Sequence, residues 1–206
     1  EDVTHLLVSV PPDGEGCPVA DNLAAEIAQL PNLTWLGYLS TGVYGDTGGE
    51  RVDEDAPLNP SSDRSRNRVN AEESWLNLWR DNDVPVHIFR LAGIYGPGRS
   101  PLDRVRAGSA ARTNKPGQLF SRIHVDDIAT VLRASIDRPR RGAVYNVCDD
   151  DPASPADVVA YACDLLGAET PPKVAFEEAA KTMSPMALSF WRDNRRVDNT
   201  LIKKEL

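Results

Sequence analysis

The sequence predicts an α/β fold: a doubly wound parallel sheet with a small C-terminal α/β part. Three observations carry that prediction. Strand-like runs recur at Val3–Val10, Leu33–Leu39, Asp83–Leu91 and Ala143–Val147. Segments of helical periodicity separate them, and such alternation implies parallel strands joined by crossover connections. The second run leads into two adjacent hydroxyls, Ser40 and Thr41, at the carboxyl end of a strand, where open α/β sheets place their ligands.

Val3–Val10 is apolar enough for a strand buried on both faces. Past the turn Pro11–Gly16, a helix is expected over Val19–Leu30, with Leu23, Ile27 and Leu30 at helical spacing. Pro31 ends it, because proline disfavours helix in the residue before it. The loop Asp46–Asp63 is rich in Gly, Pro and Asp, as turn regions are. Ser61, Ser62 or Asp63 is placed to cap the next helix, which reaches about Asp81. Its Trp75, Leu76, Leu78 and Trp79 give it a broad apolar surface, read as core or as an exposed anchor. After the strand Asp83–Leu91, a short helix near Leu102–Ala107 leads to Gln118–Ile123 and then a helix over His124–Ile136. Asp126 and Asp127 in its first turn suit the positive end of the helix dipole. Ala143–Val147 is a strand, and Ser154 with Pro155 opens a further helix as cap and first residue. Lys173–Phe176 reads as a short strand before a helix reaching Met183.

Composition narrows the function classes. With 206 residues, 41% hydrophobic and 26% charged, the chain is an ordinary globular domain, alone or with a small appendage. A net charge of −8 argues against a nucleic-acid surface, which needs a basic patch. The arginine-rich pieces 64–68, 138–141 and 192–196 are short and interrupted, as solvated helix ends or loops are. No apolar run approaches the roughly 18 residues of a membrane span. Cys17, Cys148 and Cys163 lack C-x-x-C spacing and read as reduced thiols of a cytoplasmic protein. His5, His87 and His124 show no metal-ligand spacing, so no metal is expected.

Three stretches, taken together, resemble a known family. They are Ser40-Thr-Gly-Val-Tyr-Gly-Asp46 with the later helix carrying Ala71-Glu72, Arg90-Leu-Ala-Gly-Ile-Tyr-Gly-Pro-Gly98, and Arg122-Ile-His-Val-Asp-Asp-Ile-Ala129. Their pattern is similar to the extended short-chain dehydrogenases/reductases, the NAD-dependent epimerase/dehydratase group. The resemblance implies a Rossmann-like sheet. Residues 1–99 would be the carboxyl-terminal portion of the NAD(P)-binding domain, and 100–206 would complete the sheet and form a small substrate-side part. Val3–Val10 would be the fourth strand, after a half that carries the glycine-rich cofactor loop, so the sequence reads as a fragment. The alternative is that C-terminal strands cover Val3–Val10. The tail Arg196–Leu206 resembles a family segment that runs a little further.

The resemblance also implies chemistry. The family helix carries Tyr-x-x-x-Lys with Glu four residues later; counted back from Glu72, Arg68 falls at the Lys position and Arg64 at the Tyr position. The resemblance thus implies an atypical member that lacks the family's catalytic Tyr. Ser40, with Thr41 beside it, matches the hydroxyl that orients substrate. Arg68 is placed to hold the ribose of NAD or NADP. Arg64 is no general acid or base near neutral pH, because its guanidinium does not deprotonate, but it suits a phosphate or carboxylate. The bland alternative is a solvated helix face with an Arg68–Glu72 bond at i, i+4. Ser9 and Pro11 would skirt the cofactor, and backbone at Ala92, Gly93 and Ile94 would lie against the nicotinamide. Tyr95, Arg99, Arg122 and His124 would face a small-molecule substrate, possible classes being a sugar or nucleotide sugar. His124 alone reads equally as a packed or capping residue. Tyr44 and Tyr95 are the nearby phenols that could take over proton transfer. The cluster Gly93, Gly96, Gly98 runs in the wrong order for a dinucleotide fingerprint, and Gln118 stands where an acidic residue would be needed. A homodimer through helices 19–30 and 63–81 is the implied assembly. Three function classes stay open: an NAD(P)-dependent epimerase, dehydratase or reductase; a non-catalytic NAD(P) sensor of the same fold; and a cofactor-free structural domain, which would follow only from a chain complete as printed.

Overall fold

A computed structural model describes residues 2–206. In chain order, β1 (His5–Val8) leads through α1 (Pro18–Ala28) to β2 (Trp35–Ser40). A loop carrying β3 (Arg51–Val52) precedes α2 (Asp63–Asn82), β4 (Val86–Leu91) and β5 (Gly93–Tyr95). Next come α3 (Pro101–Arg106), β6 (Arg112–Asn114), β7 (Arg122–His124), α4 (Val125–Asp137) and β8 (Ala143–Val147). The chain closes with α5 (Pro155–Leu166), β9 (Lys173–Ala175), α6 (Phe176–Ala179), a 3₁₀ turn, α7 (Pro185–Arg192), β10 (Arg196–Val197) and α8 (Thr200–Glu205).

The central sheet is β1-β2-β4-β8, parallel throughout. Residues alternate between its faces, and register shows which rows share a face. Leu36 and Val86, then Tyr38, Ile88 and Val144, then Ser40, Arg90 and Asn146 line one face. The apolar members of that face pack with Ala20 and Ile27 of α1 and Ala71, Trp75 and Leu78 of α2. The opposite face presents Trp35, Phe89, Leu91, Tyr145 and Val147 to Ile128 of α4 and Ile202 of α8. Helices on both faces make this the doubly wound α/β architecture that the alternation predicts.

The strand β1 lies at one edge of the sheet. Only its Val8 is buried, and Leu7 is 48% exposed, so the run is not covered on both faces. Nor do C-terminal strands cover it: β8 lies at the far edge and β10 pairs with β3. Each successive strand of the sheet adds on the side away from β1. The short ladders β3–β10, β5–β7 and β6–β9 join residues from about 30 to about 145 positions apart, which local periodicity does not reveal.

Helix boundaries follow their caps. Ser62, one of the three expected residues, accepts a hydrogen bond from Ser65 N and opens α2. Asp83, with φ 55°, ends it. Neither tryptophan is an exposed anchor: Trp75 is fully buried, its ring 5.9 Å from that of Tyr38. Trp79 is half-buried against Gly142, where an added Cβ would fall 2.6 Å from its ring. Gly37 serves Trp35 in the same way, since a Cβ there would lie 2.2 Å from the indole. That indole stacks on the fully buried His87 and donates to Ser135 Oγ at 3.1 Å. Burial pushes the His87 imidazole down to a pKa of about 4. No helix of the described residues is long and apolar enough to cross a membrane.

Candidate functional site

All four sheet strands run the same way, so Ser9, Thr41, Ala92 and Cys148 leave the sheet at one end. The row nearest that end on the α2 face is Ser40, Arg90 and Asn146. All three side chains are buried. Their hydrogen bonding differs sharply.

Arg90 is saturated. Its Nε and Nη2 donate to Glu72 Oε2 at 3.0 and 2.9 Å. Its Nη1 donates to Tyr44 OH at 2.8 Å and to the Glu54 carbonyl at 3.1 Å. Tyr44 OH in turn donates to Asn146 Oδ1 at 2.6 Å. The Asn146 backbone N–H, on the open edge of β8, donates to Glu54 Oε1 at 2.7 Å. Burial opposes the charge of Arg90, but Glu72 and Tyr44 outweigh it and hold its pKa above the usual value. Burial pushes the Tyr44 phenol up to about 12 against the pull of Arg90. Arg90 opens one of the family stretches, but neither Asn146 nor Glu54 stands out by motif chemistry. The available signal was a lone arginine in the otherwise apolar end of a strand.

Ser40 and its neighbours are the opposite case. The Ser40 hydroxyl is 1% exposed and makes no hydrogen bond with another described residue. The same holds for Tyr38 OH, Trp75 Nε1 and Glu72 Oε1, all on β2 and α2. Arg68 is 8% exposed; it donates to the Leu39 carbonyl at 3.3 Å and lies against the Tyr38 phenol. Burial pushes the Tyr38 phenol up to about 12, with the Arg68 charge beside it opposing. Buried polar groups are ordinarily paired, and these four atoms on β2 and α2 are exceptions among the described residues.

The three positions at helical spacing on α2 therefore separate. Arg68 and Glu72 are buried, whereas Arg64 lies exposed in the first turn. The solvated face with an Arg68–Glu72 bond is not what forms; Glu72 turns to Arg90 instead. Thr41 is half-buried, and Ser9 and Pro11 are exposed on the loop after β1. That loop is tied to α2, because Asn67 Nδ2 donates to the Asp13 carbonyl at 2.5 Å.

The remaining candidates sit on the adjoining ladder. Register pairs Gly93 with Arg122, Ile94 with Ile123, and Tyr95 with His124. The Tyr95 and His124 rings meet edge-on at 5.2 Å. His124 also caps α4, its Nδ1 accepting from Asp126 N at 3.2 Å, which is its packed and capping reading. Arg122 Nη1 donates to the Phe120 and Ala153 carbonyls at 2.8 and 3.1 Å. Burial lowers its pKa, with Asp149 opposing. Burial, then Asp149 and Asp127, raise the Tyr95 phenol. Ala92 N–H donates to the Val147 carbonyl at 3.0 Å, and Arg99 is exposed beyond the turn at Gly96–Gly98. Among the described residues no His, Cys, Asp and Glu cluster could hold a metal ion.

Comparison with known proteins bears on this arrangement. Residues 19–148 match the pattern of the NAD dependent epimerase/dehydratase family. This chain belongs to that family. It is 53% identical to a functionally unknown conserved protein from Silicibacter pomeroyi DSS, with a TM-score of 0.90, covering 98% of this chain and 70% of that one. Protein YeeZ of Escherichia coli (strain K12) is 37% identical over 146 residues, 69% of this chain. The matched region spans 49%, about half, of the length of that curated relative. The dTDP-glucose 4,6-dehydratase from Bacillus anthracis, solved in complex with NAD, is 21% identical with a TM-score of 0.77, over 99% of this chain and 66% of that one. UDP-glucuronic acid 4-epimerase from Bacillus cereus, solved with UDP-glucuronic acid and NAD, is 19% identical with a TM-score of 0.74. It is matched over 92% of this chain and 60% of its own. The likeness to these two enzymes shows a common Rossmann-type fold. Helix α2 of this chain carries arginines at positions 64 and 68.

Proposed function

We propose that the protein is an NAD(P)-dependent epimerase, dehydratase or reductase of atypical type, acting on a small molecule of the sugar or nucleotide-sugar class. The observation that carries this reading is the orphaned Ser40 hydroxyl beside the buried, partner-poor Arg68 at the carboxyl end of a central strand. These groups fit a cofactor ribose and a substrate oxygen. Arg68 would hold the ribose of NAD or NADP, as a permanent cation with a fork of donors. Backbone at Ala92, Gly93 and Ile94 would flank the nicotinamide, and Ser9 and Pro11 would border the cofactor. When bound, the nicotinamide supplies hydride exchange. Ser40, with Thr41 beside it, orients the substrate oxygen; Tyr95, Arg99, Arg122 and His124 form the substrate side. Residues 1–99 then belong to the cofactor domain, and 100–206 complete its sheet and add the substrate-side part.

A second reading, an NAD(P)-binding sensor without hydride chemistry, has its own support. Arg64 moves no proton near neutral pH. The phenols at hand are pushed away from the catalytic range: Tyr38 and Tyr44 to about 12, and Tyr95 upward. The proposal extends to a homodimer through α1 and α2, where Leu23 is exposed, and to the cytoplasm, which suits three free cysteines. The deciding experiment is titration of the full-length protein with NADH and NADPH, followed by turnover of carbonyl substrates. Cofactor binding with turnover supports the enzyme. Binding without turnover of any substrate supports the sensor, and no binding of either nucleotide overturns both.

A further inference from the structure

Arginines crowd the unfavourable end of α2. A helix amino terminus is positive, so it favours anions and disfavours cations, yet α2 opens with Asp63-Arg-Ser-Arg-Asn-Arg68. One of those three charges is answered locally, by the Arg66–Asp63 pair. Arg64 makes no ion pair or side-chain hydrogen bond with any other described residue. Arg68, 8% exposed, spends a single donor on the Leu39 carbonyl at 3.3 Å. A guanidinium buried without an anion is costly. In a chain of net charge −8, an exposed and a buried cation one turn apart, neither in an ion pair with another described residue, are not general basicity. The orphaned Ser40 hydroxyl ends the strand on which Arg68 rests.

We infer that Arg64, with Arg68 behind it, forms an oxyanion site that selects substrates carrying a carboxylate or phosphate at the reacting end. The planar Arg64 fork pairs with two oxygens of such a group, and the Arg68 charge and the helix dipole reinforce it. Arg64 is thus a specificity-determining residue rather than an acid or base. This assignment rests on the reading that Ser40 faces substrate, and it adds the chemical class of that substrate.

The test is calorimetric titration of the full-length protein with inorganic phosphate and, separately, with malonate, alongside NADH binding followed by fluorescence. Saturable binding of either probe is expected, weakened at least tenfold by Arg64→Gln and only partly by Arg64→Lys. Arg66→Gln, which removes an already paired charge, should change it less than twofold. Preference for phosphate assigns a phosphorylated substrate, and preference for malonate a carboxylated one. Absence of saturable binding, survival of binding in Arg64→Gln, or equal loss in Arg66→Gln overturns the site. NADH affinity should be unchanged by Arg64→Gln. If NADH fails to bind while the Arg64-dependent anion binding persists, the cofactor reading falls and the anion site stands.

Discussion

Two groups of buried polar side chains lie next to each other under α2, and they are built on opposite plans. Around Arg90, a carboxylate, a phenol and a backbone carbonyl consume the guanidinium donors, and Asn146 takes up the phenol proton. Around Arg68, a guanidinium with one long bond to a backbone carbonyl lies against the Tyr38 phenol, and the nearby Ser40 hydroxyl has no partner among the described residues. Both groups are desolvated, so exposure does not explain the difference. A saturated network makes one arrangement of strands β2, β4 and β8 with α2 much better than its neighbours. Glu72 stands at the boundary, with Oε2 committed to Arg90 and Oε1 free.

The sharpest way to break this comparison is to cut the saturated group. Arg90→Met leaves Glu72 buried without its cation and is expected to cost about 3–5 kcal/mol of stability. Urea unfolding measures it, and Arg90→Met combined with Glu72→Leu should recover most of the loss. A single variant as stable as the parent would show that the network does not hold the sheet. Next in size is His87, on the opposite face and without a side-chain partner. Its folded pKa of about 4 lies below the ordinary 6.5, so the unfolded chain takes up the proton first. The stability this contributes is complete above pH 6.5 and is lost as pH falls toward 4, by about 2 kcal/mol at pH 5. Unfolding of His87→Leu at pH 7 and pH 5 should show a flatter dependence than the parent.

Smaller effects sharpen the other side. Arg68→Met removes a cation that has few partners to leave behind, and should cost about 1 kcal/mol or less. NADH affinity should nonetheless drop about tenfold or more, corresponding to roughly 1.4 kcal/mol. A large stability loss with unchanged affinity would make Arg68 a structural residue. The smallest change is expected for Tyr38→Phe and Ser40→Ala. Each removes an orphaned buried hydroxyl, so melting should stay within about 1 kcal/mol of the parent or shift upward. A clear destabilisation would mean that these hydroxyls are already satisfied in the unliganded protein, and the contrast between the two groups would dissolve.

Much was legible in the sequence because it is local or periodic. Strand runs, helix spacing, the caps at Ser62 and Ser154 and the family stretches around Ser40, Arg90 and Arg122 are all read within a few residues. They determined the parallel sheet, its helical layers and the position of Ser40 at a strand end. What tertiary structure decided is what each polar group meets. Spacing puts Arg64, Arg68 and Glu72 on one helical face, but only the depth of α2 against β2 leaves Arg64 exposed and buries the other two. Glu72 passes over its helical neighbour Arg68 for Arg90, a residue on another strand. The buried Trp75 likewise follows from which strand arrives beside it. The physical reason is that periodicity specifies a direction from the backbone, whereas pairing, burial and pKa depend on partners brought from far along the chain.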